Sequence, residues 1–223
     1  MTKEVISASR RTDIPAFYME WLLAALKRGR VDVTNPFNAK QVRSVDLTPD
    51  RAGWIVLWSK DFGPFLDKLD DGRARGLLAP YELFFLFTVN DAPDLEPRVK
   101  PLDARLDQAA RLADRFGAER LHWRFDPIVF WRESGLLHDN TAPFEAIAER
   151  MAGLGVTACH TSFVHWYRKS LRRFERAGLA NEDPAVEEKR RIASDLAEIA
   201  GELGIRLYAC CNGFLDGVEG VGP

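Results

Sequence analysis

The chain has 223 residues, of which 46% are hydrophobic and 29% are charged, as is usual for a globular protein. Its formal net charge of −2 excludes a general electrostatic attraction to nucleic acid, although a local basic site stays open. No apolar run reaches the ~20 residues of a membrane-spanning helix, and the N-terminus lacks a signal peptide's apolar stretch, so we expect a cytoplasmic protein.

Strand and helix patterns alternate along the whole chain. After a short first strand around Val5 and Ile6, apolar or alternating segments predict strands at 31–34, 42–47, 54–58, 81–89, 120–125, 156–163 and 205–210. Apolar residues at helical spacing predict helices at 17–26, 63–75, 102–116, 144–154 and 184–203. Asp13 is expected to cap the first helix, and Gly29 is expected to end it.

This alternation predicts an α/β fold of mainly parallel strands joined by right-handed crossovers, with about seven strands. No linker interrupts the chain, so we predict a single domain over residues 1–223. A doubly wound sheet and a (β/α) barrel both fit the pattern. Polar residues follow nearly every strand, which favours a TIM-like barrel, because its strand ends all meet at one mouth. No helix follows the last strand, so we expect either a partial, open barrel or a missing C-terminal segment.

The segment from Ser7 to Pro15 crowds two arginines, an aspartate and three hydroxyl groups between the first strand and the first helix. A loop that only connects two elements more often uses glycine, asparagine and a single charge. Ligands of α/β proteins collect at the carboxyl ends of strands. We therefore predict that this turn belongs to a ligand site.

Similar polar groups follow the other strands, and two of them share one strand. Alternation places Arg124 and Asp126 on one face, opposite Trp123 and Phe125. Arginine binds carboxylate or phosphate through two parallel hydrogen bonds, aspartate orients arginine or transfers protons, and lysine stabilises developing charge. We predict substrate binding by Ser9, Arg10, Arg11, Asn35, Asn38 and Arg124, and catalytic roles for Asp13, Lys60 and Asp126.

Each of these assignments has a structural alternative. Arg10 and Arg11 could serve only to pair with Asp13 and surface acids, Arg124 and Asp126 could form a buried ion pair, and residues 35–38 could be a plain turn. The histidines at 122 and 160 lie inside strands and are expected to be core or second-layer residues. The basic stretch 168–173 is expected to be a solvated helix face, with phosphate or nucleic-acid contact as its alternative.

Several ordered phrases resemble one family. They are SASRRTDIPAFY at 7–18, NPFNAKQV at 35–42, WSK at 58–60, WRFDPI at 123–128 and CC at 210–211, and they resemble the bacterial and archaeal family called domain of unknown function 1848. The resemblance implies a barrel and a C-terminal cysteine cluster similar to the iron–sulfur site of radical S-adenosylmethionine proteins. Cys210 and Cys211 are the metal-ligand candidates here, and an iron–sulfur cluster is expected only with a further C-terminal segment.

Two functions follow from these observations. The favoured one is an enzyme that binds an anionic small molecule or a nucleotide at the carboxyl ends of the strands. Phosphate or carboxylate would be the anionic group, no membrane partner is expected, and the reaction stays open. The alternative is a non-catalytic protein that binds phosphate or nucleic acid.

Overall fold

The computed structural model describes residues 2–8 and 11–223. Its strands are β1 Glu4–Ala8, β2 Arg30–Asn35, β3 Asn38–Asp46, β4 Ala52–Ser59, β5 Glu82–Thr88, β6 Leu121–Ile128, β7 Phe130–Glu133, β8 Leu136–Asp139, β9 Ala158–Phe163, β10 Leu179–Glu182, β11 Arg206–Ala209 and β12 Val221–Gly222. Its α-helices are α1 Ile14–Phe17, α2 Met19–Arg28, α3 Gly63–Asp70, α4 Arg75–Leu78, α5 Leu102–Phe116, α6 Phe144–Gly153, α7 Arg168–Arg176 and α8 Val186–Glu202. Two 3₁₀ helices span Ala118–Arg120 and Gly213–Leu215.

The chain divides into two compact units, residues 1–87 and 88–223. In the first unit, β4 pairs in parallel with both β1 and β5. Four rings from α3, its N-terminal flank and β5 form the aromatic core of this unit: Phe62, Phe65, Phe85 and Phe87. Their edge-to-face contacts are the arrangement that the quadrupoles of aromatic rings favour.

The first helical segment begins and ends as the sequence predicts, but it is interrupted. The Asp13 carboxylate accepts a hydrogen bond from the Ala16 backbone N–H at the start of α1. Gly29 ends α2 with a φ of 71°, in the left-handed region where glycine carries no steric cost. Tyr18 separates α1 from α2.

Strands β2 and β3 form a separate antiparallel hairpin. Our expectation that the strand at 31–34 belongs to the parallel sheet is therefore wrong. The connection at residues 36–37 is too short for a crossover, and only an antiparallel partner can follow such a turn. Asn35 and Asn38 consequently lie at a hairpin turn instead of at the carboxyl end of a parallel strand.

In the second unit, β9 lies between β6 and β11 in parallel, and β12 pairs with β11. Three short strands, β10, β7 and β8, make a small antiparallel sheet that local patterning did not predict. The core is built around Trp123, Phe125 and Phe144, which are 0–1% exposed and contact one another at ring centroid distances of 5.0–5.9 Å.

Strands β1, β4, β5, β6, β9, β11 and β12 make a seven-stranded sheet in that order. The predicted α/β fold with about seven mainly parallel strands is confirmed. The described residues contain no closed barrel, so the TIM-like barrel is not confirmed. Polar strand ends occur in open sheets as well as in barrels, which is why the pattern could not separate the two. One domain over 1–223 stays a prediction.

None of the helices in the described part of the chain combines the length and the apolar character that crossing a membrane requires.

Candidate functional site

Alternate residues of three neighbouring strands form a polar face in the second unit. Arg124 on β6 pairs in register with His160 on β9, and His160 pairs with Tyr208 on β11. Their immediate neighbours in sequence, such as Trp123 and Cys159, are buried on the opposite side of the strands. We call this set the polar face: His122, Arg124, Asp126, His160, Ser162 and Tyr208.

A charged cluster occupies the carboxyl-terminal part of the polar face. Arg124 makes an ion pair with Asp126, and the Ser162 hydroxyl donates a hydrogen bond to the other carboxylate oxygen of Asp126. The Arg124 and Asp126 side chains are 14% and 18% exposed. The prediction that they share one face is confirmed. The pair is therefore shielded from bulk water but still reachable, a condition that strengthens its electrostatic field.

The two strand histidines contact each other on this face. His122 Nδ1 lies 2.9 Å from His160 Nε2, and the rings stack with centroids 5.1 Å apart. The other side of the His160 ring stacks on Tyr208 at 5.2 Å. Both histidines are half-buried. We expected core or second-layer residues, but the register of β6 and β9 places both beside Arg124. The alternation His122-x-Arg124-x-Asp126 was the signal that could have revealed this.

Burial lowers the pKa of His122. It also lowers the pKa of His160 to about 4, and the neighbouring His122 and Arg124 add to the effect. His160 is consequently a neutral imidazole at pH 7, able to accept a proton or to donate an N–H.

A buried asparagine holds the chain just after Asp126. Asn140 Oδ1 accepts from the Val129 N–H at 2.9 Å, and its Nδ2 donates to the Pro127 carbonyl at 3.0 Å. The Asp126–Pro127 peptide bond is cis. Asn140 is 1% exposed and lies 14 residues beyond Asp126, so no local motif marks its role. It positions the end of β6 and with it the charged cluster.

In the first unit, the Asp13 carboxylate has a structural use. Besides capping α1, it accepts from the Ser59 hydroxyl at 2.7 Å and from the Lys60 N–H at 2.9 Å. These bonds join the start of α1 to the end of β4. Lys60 itself is half-buried there. The catalytic roles predicted for Asp13 and Lys60 stay predictions.

The remaining predicted residues of the first unit contact the β2–β3 hairpin or form its turn. Arg11 Nη1 donates to the Thr34 carbonyl at 2.6 Å. The side chains of Asn35 and Asn38 accept backbone bonds from Phe37 and Lys40, which is the pattern of asparagine-stabilised turns.

Two further predicted ligands, Ser9 and Arg10, lie outside the described residues.

The family comparison agrees with the ordered phrases. The family model described as Domain of unknown function (DUF1848) matches residues 5–221, which is nearly the whole chain. The chain belongs to the DUF1848 family. The resemblance drawn from the sequence phrases is thereby confirmed. Among curated proteins, none matches this DUF1848 chain.

The adjacent cysteines of this DUF1848 protein lie at the end of β11. We expected them to point to opposite faces of a strand, which is wrong, because Cys211 has a left-handed φ of 62° and leaves the strand geometry. Their sulfur atoms are 3.6 Å apart. Burial, followed by contact with Cys211, raises the pKa of Cys210, and the charges of Arg124 and Asp126 also act on it, so this thiol lies near the polar face.

The iron–sulfur cluster implied by the DUF1848 resemblance does not fit these residues. Such a cluster takes four thiolates, and the sequence has three cysteines, of which Cys159 is completely buried. No group of three or more His, Cys, Asp or Glu side chains within residues 2–8 and 11–223 could hold a metal ion. Cys210 and Cys211 supply two ligands, so their metal-binding role stays a prediction.

Proposed function

We propose that this protein is an enzyme that binds a small anionic molecule, bearing phosphate or carboxylate, at the polar face of the second unit. The observation that carries the proposal is the shielded but reachable Arg124–Asp126–Ser162 cluster beside a neutral histidine. Arg124 is the anion-binding group, because a guanidinium recognises both anions through parallel N–H donors. Asp126 and Ser162 hold Arg124 in position.

His160 is the group that we propose moves a proton. Its pKa of about 4 keeps it neutral before the ligand arrives. An anion placed next to it favours the imidazolium form and raises that pKa, since an opposite charge stabilises the charged state. Ligand binding is then coupled to proton uptake, and the protonated ring can act as a general acid toward the bound molecule.

We further propose a partial barrel and a cytoplasmic location for this protein. The seven-stranded sheet would function as a partial barrel whose strand ends carry the site. Three free cysteines suit a reducing, cytoplasmic location. No step in the proposal passes through an iron–sulfur cluster.

The test compares two ion pairs of the second unit. Arg124→Gln/Asp126→Asn removes the proposed binding pair without leaving an unpaired charge. Arg132→Gln/Glu182→Gln removes the Arg132–Glu182 pair, whose side chains are 46% and 34% exposed. Calorimetric titration uses inorganic phosphate, a dicarboxylate and a nucleoside monophosphate as probes. Buffers of different ionisation enthalpy report the coupled protons.

We expect wild type and the control to bind at least one probe with proton uptake, and the Arg124/Asp126 variant to bind about tenfold or more weakly. Circular dichroism confirms that both variants are folded. If wild type binds none of the probes, or the folded Arg124/Asp126 variant binds as wild type does, the proposal is wrong and the pair is structural.

A second candidate function rests on α7. This helix carries five basic residues and one acidic residue, and none of its residues is buried. Such a surface fits phosphates of a single-stranded nucleic acid, each contact contributing about 0.7 to the salt-dependence slope. The test is fluorescence anisotropy with single-stranded RNA between low and physiological salt. Salt-dependent binding that Lys169→Gln/Arg172→Gln weakens supports this function, and no binding at low salt removes it.

A further inference from the structure

A pocket of about 290 Å³ lies in the second unit beside α7. Its walls include Asn90, Pro127 at the end of β6, Val164 just beyond β9, Trp166 two residues before α7, and Phe174 on α7. We call it the Trp166 pocket. This size is close to the lower end of ligand-binding pockets, about 300–1,000 Å³. It exceeds the space that one water molecule needs, about 30 Å³.

Asn90 lines the pocket and carries an unsatisfied acceptor. The residue is 3% exposed, and its Nδ2 lies 3.4 Å from the Asp126 backbone carbonyl. A carbonyl only accepts hydrogen bonds, so this contact fixes the orientation of the amide. Its Oδ1 is then left with no partner among residues 2–8 and 11–223. A buried acceptor without a partner is costly, so a native structure rarely leaves one unused.

Trp166 brings the complementary group. Its indole Nε1 is buried and has no acceptor within the described part of the chain. Asn90 also lines a neighbouring cavity of about 310 Å³. Of these two cavities, Trp166 lines the Trp166 pocket and not the neighbouring one. One unsatisfied acceptor and one unsatisfied donor, carried by two residues that line the same pocket, match a ligand edge with both a donor and an acceptor.

The walls select the shape of that ligand. The rings of Trp166 and Phe174 meet at 4.8 Å and 80°, and Val129, Val164 and Pro127 add apolar surface. Aromatic and apolar walls around a few polar groups are typical of small-molecule sites, and a flat heterocycle can pack against such rings. A purely aliphatic ligand would leave the amide oxygen and the indole N–H unpaired.

The rim of the pocket is charged. Arg173 and Ser170 of α7 line it on one side, and Asp94 and Glu96 line it as well. Arg173 is exposed and belongs to the cationic helix α7, so it can bind a phosphate outside the pocket. The carboxylates can accept hydrogen bonds from sugar hydroxyl groups.

We infer that the Trp166 pocket binds the base of a nucleoside monophosphate and that Arg173 binds its phosphate. The base pairs its polar edge with Asn90 Oδ1 and Trp166 Nε1. The inference goes beyond the proposed function, because Arg124, His160 and Ser162 do not line this pocket.

The test is calorimetric titration of AMP, GMP, CMP and UMP, with adenosine and inorganic phosphate as partial ligands. Trp166→Phe removes the N–H and keeps a ring, and Arg173→Gln removes the phosphate contact from an exposed position. Arg176→Gln is the matched control on α7, since Arg176 does not line the pocket. Arg124→Gln/Asp126→Asn, which leaves no unpaired charge, separates this site from the polar face.

We expect at least one monophosphate to bind more tightly than inorganic phosphate. Trp166→Phe should weaken it about three- to tenfold, and Arg173→Gln by a similar factor without affecting adenosine. The Arg176→Gln control should bind as wild type does, and Arg124→Gln/Asp126→Asn should keep the monophosphate affinity that Arg173→Gln weakens. The inference is overturned if no monophosphate binds at millimolar concentration, if inorganic phosphate binds equally well, or if Arg173→Gln has no effect. A monophosphate affinity lost in Arg124→Gln/Asp126→Asn would instead assign the nucleotide to the polar face.

Discussion

Replacing Asp13 with alanine tests whether this residue is structural. Its carboxylate accepts bonds from the Ala16 N–H at 3.0 Å, the Ser59 hydroxyl at 2.7 Å and the Lys60 N–H at 2.9 Å. Asp13→Ala removes all three bonds at once. It thereby separates the start of α1 from the end of β4.

The expected cost follows from these contacts. Losing the helix cap costs about 1 kcal/mol. Leaving the Lys60 N–H without its acceptor costs roughly 1–3 kcal/mol. Ser59 is 4% exposed, but its hydroxyl is also 2.9 Å from the Asp61 carbonyl, so its loss is smaller, about 0.5–1 kcal/mol. The sum is about 2.5–5 kcal/mol, or roughly 5–20 °C in Tm for a chain of this size.

Urea unfolding, followed by circular dichroism, measures the free energy of unfolding of wild type, Asp13→Ala and Asp13→Asn. The asparagine variant keeps one acceptor for the cap and should lose less stability than alanine. Asp46→Ala is the control: Asp46 accepts two bonds from Thr48 at an exposed position, and we expect a smaller loss there. An Asp13→Ala cost below about 1 kcal/mol would refute this reasoning.

Three further predictions concern the second unit. The pKa of His160 is about 4 in the folded protein, below its ordinary value of 6.5, so between pH 4 and pH 6.5 the unfolded chain binds more protons than the folded one. The free energy of unfolding should therefore fall as the pH falls from 6.5 to 4. In thermal unfolding, His160→Asn should lose less stability than wild type between pH 7 and pH 5. The sulfur atoms of Cys210 and Cys211 are 3.6 Å apart, so two sulfur–metal bonds of about 2.3 Å would meet at an angle of about 103°. We therefore expect this pair to bind one equivalent of a trivalent arsenical. Mass spectrometry should show the adduct lost in Cys211→Ser but kept in Cys159→Ser. Asn140→Ala, which removes two hydrogen bonds between a buried side chain and the backbone, should cost about 2–4 kcal/mol in urea unfolding; a cost near zero would remove its positioning role.

Local sequence determined those features that depend on short-range geometry. The apolar spacing predicted α5 at 102–116 with the bounds that the structure has. Asp13 and Gly29 marked helix ends, because capping involves residues within one turn. The two-residue period of a strand placed Arg124 and Asp126 on one face. Family membership was also readable from ordered phrases alone.

Tertiary structure decided which strands pair and in what register. Nothing local shows that the β2–β3 pair stays outside the main sheet, or that β12 joins that sheet. The pairing of β6 with β9 and of β9 with β11 brings His160 against both Arg124 and Tyr208. Asn90 and Trp166 reach one pocket across 76 positions of sequence. Such contacts depend on the free energy of packing the whole chain, so no window of neighbouring residues encodes them.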